Sequence, residues 1–246
     1  MTKGDLSCLR PGNPITRKLI DLCAAYLYEE NSSSWFLPTN FSVLSNDGPN
    51  QLGGGRTLSQ IISECSLHRF NRRLKLCCKI FIPVQDDVPG QWFFIVIKLK
   101  DKVVEIWDTI SDPFPMRRRH ELATSVVQLV QKVFASDMKK PGDIYYNIEN
   151  FDFCARSYET VFCGEHDSGV CLIRNMQSYG EPWFEGFQSN KQRTEIALGI
   201  VSNQKNEQLK SVDVAAVLTL RALVAEQEGV PENYNDTTRN ERKGPT

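Results

Sequence analysis

Glu165-His166-Asp167-Ser168-Gly169-Val170-Cys171-Leu172 reads as a tight loop that breaks into a helix. Asp167 and Gly169 are turn and helix-start residues. Val170, Ile173 and Met176 then recur at helical spacing. A residue in the first turn of such a helix faces unpaired backbone N–H groups and the positive end of the macrodipole. A thiolate nucleophile would be stabilised there, but the position holds Ser168. What the chain can do turns on the groups that other elements bring to this loop.

The segment before it reads as a β region. Trp92 to Leu99 (WFFIVIKL) is nearly all apolar, which predicts a central strand covered on both faces. Leu74 to Val84 precedes it as a strand candidate ending at Pro83, with Asp86 to Gly90 as the turn. After a short turn at Asp101-Lys102, Val103 to Trp107 is the next strand, ending at Asp108, and Thr109 to Pro115 is a loop. From Leu122, the residues Val126, Leu129, Val130 and Val133 form a helix face, which Pro141-Gly142 breaks. Ile144 to Phe153 is the last strand candidate.

Further out, Asn13 can cap a helix whose first position suits Pro14. Ile15, Leu19, Leu22, Cys23, Tyr26 and Leu27 give that helix one apolar face. Asn31 to Ser34 ends it, and Trp35 to Pro38 is an apolar, buried segment. Asn46 to Gly55 reads as an exposed loop and Leu58, Ile61, Ile62 and Cys65 as a second helix. Beyond the central helix, Tyr179 to Ser189 is a connection, and Gln192 to Val201 and Val212 to Val224 are helices. The polar tail from Glu226 to Thr246 is expected to be mobile.

Composition narrows the function classes. The 246 residues suit one large domain, and 41% hydrophobic content is enough for a core. A net charge of −1 argues against a general nucleic-acid coat. Met1 to Pro14 has no apolar run that would serve as a secretory signal, and the apolar run Trp92 to Ile97 is too short to span a bilayer. Eight cysteines with no C-x-x-C pair suit reduced thiols in cytosol or nucleus better than a disulfide framework.

In this order the chain resembles the ubiquitin-like-protein cysteine proteases, the SUMO-deconjugating family, and within it the divergent plant branch often linked to transposons. Leu9-Arg10-Pro11-Gly12 followed by Leu19-Ile20-Asp21 looks like the opening helix of that family. Ile80 to Pro83, then Gln91-Trp92 and the apolar strand, looks like the strand that carries a His-Trp pair. Asp108-Thr109 stands where the family has Asp-Ser, and Asp167-Ser168-Gly169-Val170 where it has Asp-Cys-Gly-Val. Gln192-Arg193, Ile196-Ala197-Leu198 and Asn206-Glu207 resemble its closing helix. The implied fold class is α+β, a papain-like cysteine protease fold with a central mixed sheet flanked by helices. The implied organisation is an N-terminal extension over 1–8, the protease-type domain over 9–208, a C-terminal helix over 209–225 and a polar tail over 226–246.

The resemblance also implies a His, Asp, Cys triad with a glutamine just before the Cys as oxyanion donor. The His position is Gln91, the Asp position is Asp108, the Cys position is Ser168, and the oxyanion position falls near Phe162. Only Asp108 is intact. A Cys nucleophile works because its thiolate forms beside an imidazolium. A Ser hydroxyl must lose its proton to a base during attack, and the Gln91 amide cannot take a proton at neutral pH. Phe162 offers no donor to a developing oxyanion, a loss that by itself costs about 100–1000-fold. Loss of the His and Gln together with the Cys reads as natural inactivity rather than as a trapping substitution.

Three other groups bear on rescue. A shifted Cys163–His166 pair is one alternative, and Cys171, three residues into the helix, is expected to face the core. Cys163, His166 and Cys171 fit no standard zinc framework. His68 and His120 sit in polar contexts, and Arg117 to Arg119 read as a solvated helix start. No cofactor is implied. In the resembled family the Trp after the catalytic His helps form a channel for the Gly-Gly tail of the substrate. Trp92 matches it and is either a channel wall or simply core. The expected partner is then a ubiquitin-like protein or its C-terminal tail, with no membrane and no nucleic acid. Three functions stay open: a pseudoprotease acting as an interaction module, an active isopeptidase with unusual groups, and a repurposed domain with an unrelated protein partner.

Overall fold

The computed structural model describes residues 3–30, 33–39, 41–42, 77–86, 91–108, 113–137, 146–157, 164, 166–181 and 187–202. The loop at 46–55, the helix expected around Leu58 to Cys65, His68, Phe162, Cys163, the helix at Val212 to Val224 and the tail lie outside these residues.

A five-stranded mixed sheet runs in the order β1 (Ser34–Phe36), β2 (Lys79–Gln85), β3 (Trp92–Lys98), β4 (Val103–Asp108), β5 (Asp152–Ser157). The inner pairs β2–β3 and β3–β4 are antiparallel, and the outer pairs β1–β2 and β4–β5 are parallel. Among the described residues, four helices accompany the sheet: α1 (Arg17–Glu30), α2 (Pro113–Asp137), α3 (Ser168–Gln177) and α4 (Ser189–Ser202). The 3-10 segments Lys3–Leu9 and Ile148–Asn150 precede α1 and β5.

The apolar run in β3 has the consequence its composition demands. Successive side chains of a strand point to opposite faces. Phe93, Ile95 and Ile97 enter one core with Ile80, Ile82, Val104 and Ile106, under Ala123, Val126 and Val130 of α2. Trp92, Phe94 and Val96 enter a second core with Phe36 and Phe81, under Leu19 and Ile20 of α1, Val170 and Ile173 of α3, and Ile196 of α4. Each fully buried chain of this size contributes about 1.5–3 kcal/mol. A polar residue at Phe94 or Ile95 would therefore remove one layer's support for the sheet.

Several element ends differ from the sequence reading, each for a local reason. Thr16, not Asn13, caps α1: its Oγ1 accepts from Leu19 N at 3.4 Å, while Asn13 Nδ2 donates to Ser7 O. Trp35 and Phe36, expected only to be buried, form β1 beside Ile80 and Phe81. The strand expected from Leu74 starts at Lys79, after Cys77 and Cys78. The strand expected from Ile144 starts at Asp152, because Ile148–Asn150 turns as a 3-10 segment held by Gln131 Oε1, which accepts from Ile148 N at 2.7 Å. Helix α2 starts at Pro113, where a proline costs nothing in the first turn, inside what reads as a loop. Its early start carries Arg119 onto the buried face. That residue is 1% exposed and not part of a solvated helix start, whereas Arg117 and Arg118 are exposed as expected.

Candidate functional site

Helix α3 begins at Ser168, against the start of β3. Gly169 is what permits the approach. A Cβ there would stand 2.5 Å from Ile15 Cβ and 3.1 Å from Trp92 Cδ1, closer than side chains tolerate. Because the helix can come this near, Ser168 Oγ accepts a hydrogen bond from the backbone N of Trp92 at 3.0 Å. Ser168 is 7% exposed. The structure thus brings Ser168 to the Gln91–Trp92 peptide.

The Asp-x-Gly turn is fixed by α4. Asp167 Oδ2 accepts from Gly164 N at 3.2 Å. Its Oδ1 accepts from Arg193 Nη2 at 2.9 Å and from Ser189 Oγ. Arg193 is fully buried, and its Nη1 donates to the carbonyls of Cys8 (2.9 Å), Arg10 (3.2 Å) and Asn13 (2.9 Å). Its Nη2 also donates to His166 O at 2.9 Å. One guanidinium therefore ties α4, the loop before α3 and the chain leading into α1 to a single point. Charge-assisted bonds to a carboxylate are about twice as strong as neutral ones, and here every donor direction used meets an acceptor.

Asp108 lies in a different environment. It ends β4 one residue beyond the pair Phe94↔Trp107, so it falls opposite Phe93 and shares its face of the sheet. That is the face of α2. The Asp108 carboxylate is fully buried and forms an ion pair with Arg119 Nη1. The same guanidinium donates to Asp86 Oδ2 from Nε at 3.2 Å and from Nη2 at 2.9 Å. It also lies over the Phe93 ring at 5.2 Å. Burial pulls the Arg119 pKa down and the Asp86 carboxylate pulls it back up; an arginine stays charged through such shifts. Asp86 is joined in turn to Gln91, since Asp86 N donates to Gln91 O at 3.0 Å. The carboxylate expected to take a hydrogen bond from the Gln91 amide meets Arg119 instead.

Trp92 is 1% exposed, sits in the second core, and donates its indole N–H to Ile15 O at 3.1 Å. Its side chain packs in that core. Cys171 is fully buried, as its helical position implies. The His166 ring is half-buried and its Nδ1 is without a hydrogen-bond partner among the described residues. Phe162 and Cys163 lie outside the described residues.

Sequence reasoning passed over Arg119, Asp86 and the structural role of Arg193. A signal was present. Arg119 precedes Ala123, Val126 and Val130 at four, seven and eleven residues, and Arg193 precedes Ile196 and Ile200 at three and seven. A cation on the apolar stripe of a helix must find a buried anion or carbonyl.

Chemically, the described groups can hold and orient: Ser168 accepts from a backbone N–H, and Asp108 pairs with a guanidinium.

No protein-family model matches the sequence, and no curated protein matches it. Solved structures do resemble it. The C-terminal Ulp1 protease domain in complex with Smt3, the yeast ortholog of SUMO, superposes with a TM-score of 0.58 at 20% identity, covering 80% of each chain. The SUMO protease Ulp1 with its catalytic cysteine oxidised to a sulfonic acid gives 0.58 at 19% identity, over 80% of this chain and 82% of that one. A de-sumoylating protease gives 0.50 at 12% identity, over 93% and 89%. With its five-stranded mixed sheet between helices, the chain has the α+β, papain-like fold of the ubiquitin-like-protein proteases.

Proposed function

We propose that this protein is a pseudoprotease: a protease-type domain without peptidase activity that acts as a protein-interaction module. One observation carries the reading. The only member of the expected triad that the sequence retains, Asp108, is ion-paired inside the protein to Arg119, which also holds Asp86. A carboxylate in a catalytic triad orients an imidazole and stabilises the imidazolium that forms. Here it balances a permanent cation. The amide at Gln91 and the hydroxyl at Ser168 agree with this, since neither can generate a nucleophile unaided.

The proposed partner is a ubiquitin-like protein or its C-terminal tail. The support is the fold, shared with a protease domain solved in complex with the yeast ortholog of SUMO. An extended tail docks by backbone hydrogen bonds and apolar contact, which need no catalytic group. The described cysteines Cys8, Cys23, Cys77, Cys78, Cys154 and Cys171 are free thiols, which suits a nuclear or cytoplasmic setting. The test is calorimetric titration with SUMO and with ubiquitin, each as precursor and as mature protein. Saturable binding with no change in the precursor's mass is the expected result. Absence of binding to every one of these would refute the partner, and the alternative of a repurposed domain would replace it.

A further inference from the structure

We propose that the sheet face beside the C-terminal end of α3 docks an acidic, extended segment of a partner protein. This surface is independent of the pseudoprotease reading, because Trp92 and Lys98 stand at opposite ends of β3, about 20 Å apart. At the Lys98 end, Lys79, Lys98, Glu105, Trp107 and Arg156 share the face whose other residues enter the second core. Helices α1 and α3 pack over that face at β1 and β3. Over β4 and β5 it keeps solvent contact: Val103, Trp107 and Cys154 are half-buried, and Arg156 is exposed.

The fold does not account for the charge gathered there. Lys79 and Lys98 are direct cross-strand partners in an antiparallel pair, where like charges destabilise. Lys79 lies over the Tyr179 ring at 4.5 Å, and no ion pair holds it among the described residues. Glu105 is buried and already accepts from Trp107 Nε1 at 2.8 Å and from Tyr179 Oη at 2.5 Å. Lys98 and Arg156 stand farther from it, at 3.8 and 3.5 Å, and Lys98 also pairs with exposed Asp101 at 2.6 Å. Such solvent-facing pairs add little to stability. The turn into β4 brings Lys100 and Lys102, so five cations face Asp101, Asp152 and the buried Glu105. Beside the cations lie the half-buried rings of Trp107 and Tyr179, which meet edge to face at 5.4 Å. Glu105 holds both rings by their polar ends. A cationic rim beside fixed aromatic rings suits acidic side chains on the rim and an apolar one on the rings.

The experiment titrates the full chain into a fluorescein-labelled short peptide of Asp and Glu with one central Leu. A Lys/Arg peptide of the same length and an oligothymidylate serve as competitors for the assignment, and fluorescence anisotropy is the readout. Saturable binding of the acidic peptide, weakening as salt rises from about 20 to about 150 mM, is the expected result. Lys79→Gln/Arg156→Gln should weaken it about 5-fold or more. Arg117→Gln/Arg118→Gln, an equal charge change on α2 across the sheet, should leave it unchanged. In NMR spectra of the unmodified protein, the Trp107 indole N–H should shift with the acidic peptide while that of buried Trp92 stays in place. That readout needs no variant to fold. Tighter binding of the oligothymidylate or of the basic peptide would overturn the partner's chemistry. No saturable binding, an unmoved Trp107 signal, or equal weakening by the two double variants would overturn the surface. Precursor cleavage, or a failed titration with SUMO and ubiquitin, would refute the proposed function without touching these measurements.

Discussion

Two buried arginines, Arg193 beside the start of α3 and Arg119 at the end of β4, are used in opposite ways. Arg193 spends its donors on four backbone carbonyls, one carboxylate and the Ser189 hydroxyl, and so fastens the loop before α3 to the chain around residues 8–13. Arg119 faces two carboxylates and joins the end of β4 to the end of β2. The first fixes the loop that leads into Ser168, and the second engages the Asp108 carboxylate. On the pseudoprotease reading proposed above, the helix start keeps its support while the carboxylate serves a cation. Fold and chemistry are separable here because different side chains carry them.

Four substitutions or conditions sharpen this contrast. Arg193→Met should cost the most. Breaking a buried charge pair costs about 3–5 kcal/mol, and the carbonyls of Cys8, Arg10, Asn13 and His166 also lose their donor. Urea unfolding should show a domain near or below its stability limit. A loss below about 1 kcal/mol would mean that the clasp is not structural.

Arg119→Met should cost about 3–5 kcal/mol by the same mechanism. Adding Asp86→Asn should recover part of it, because one buried carboxylate rather than two then loses this guanidinium. Equal stability of the single and double variants would mean that the two carboxylates do not share the cation. Gly169→Ala should cost about 1–3 kcal/mol by overpacking. Ile15→Ala in that background should relieve little, since the nearest clashing atom is Ile15 Cβ, which alanine keeps. Full rescue by Ile15→Ala would place the conflict at Cγ1 instead.

The smallest effect is alkaline. Burial pushes the Cys23 and Cys77 thiols up to about 12. A thiol whose pKa is raised on folding adds stability that is complete below its unfolded value of about 8.5 and fades as pH rises toward the folded value. By about pH 9 each should have cost roughly 1 kcal/mol. In native protein near neutral pH, half-buried Cys78 and Cys154 should label before buried Cys23 and Cys77. Early labelling of Cys23 would contradict the packing of α1.

The strands and the helix start were legible because periodicity and glycine chemistry act locally. WFFIVIK announced a two-faced strand, and Asp167 and Gly169 announced a helix start. The two cores follow from that strand's double burial. The partners of Asp108 were not legible, because they depend on the start of α2. Reading Thr109 to Pro115 as a loop left Arg119 outside the helix face, although Ala123 and Val126 continue its stripe. Trp92 was read as either core or channel, and only the packing of Ile15 and Gly169 around its indole distinguishes them.

The central claim is that the scaffold persists without its peptidase chemistry. The most direct measurement is cleavage of SUMO and ubiquitin precursors and of a fluorogenic tail peptide by the purified protein, beside Ser168→Ala. The account predicts no turnover above the blank, or residual turnover that Ser168→Ala leaves unchanged and that therefore belongs to a contaminant. Turnover that Ser168→Ala abolishes would contradict it.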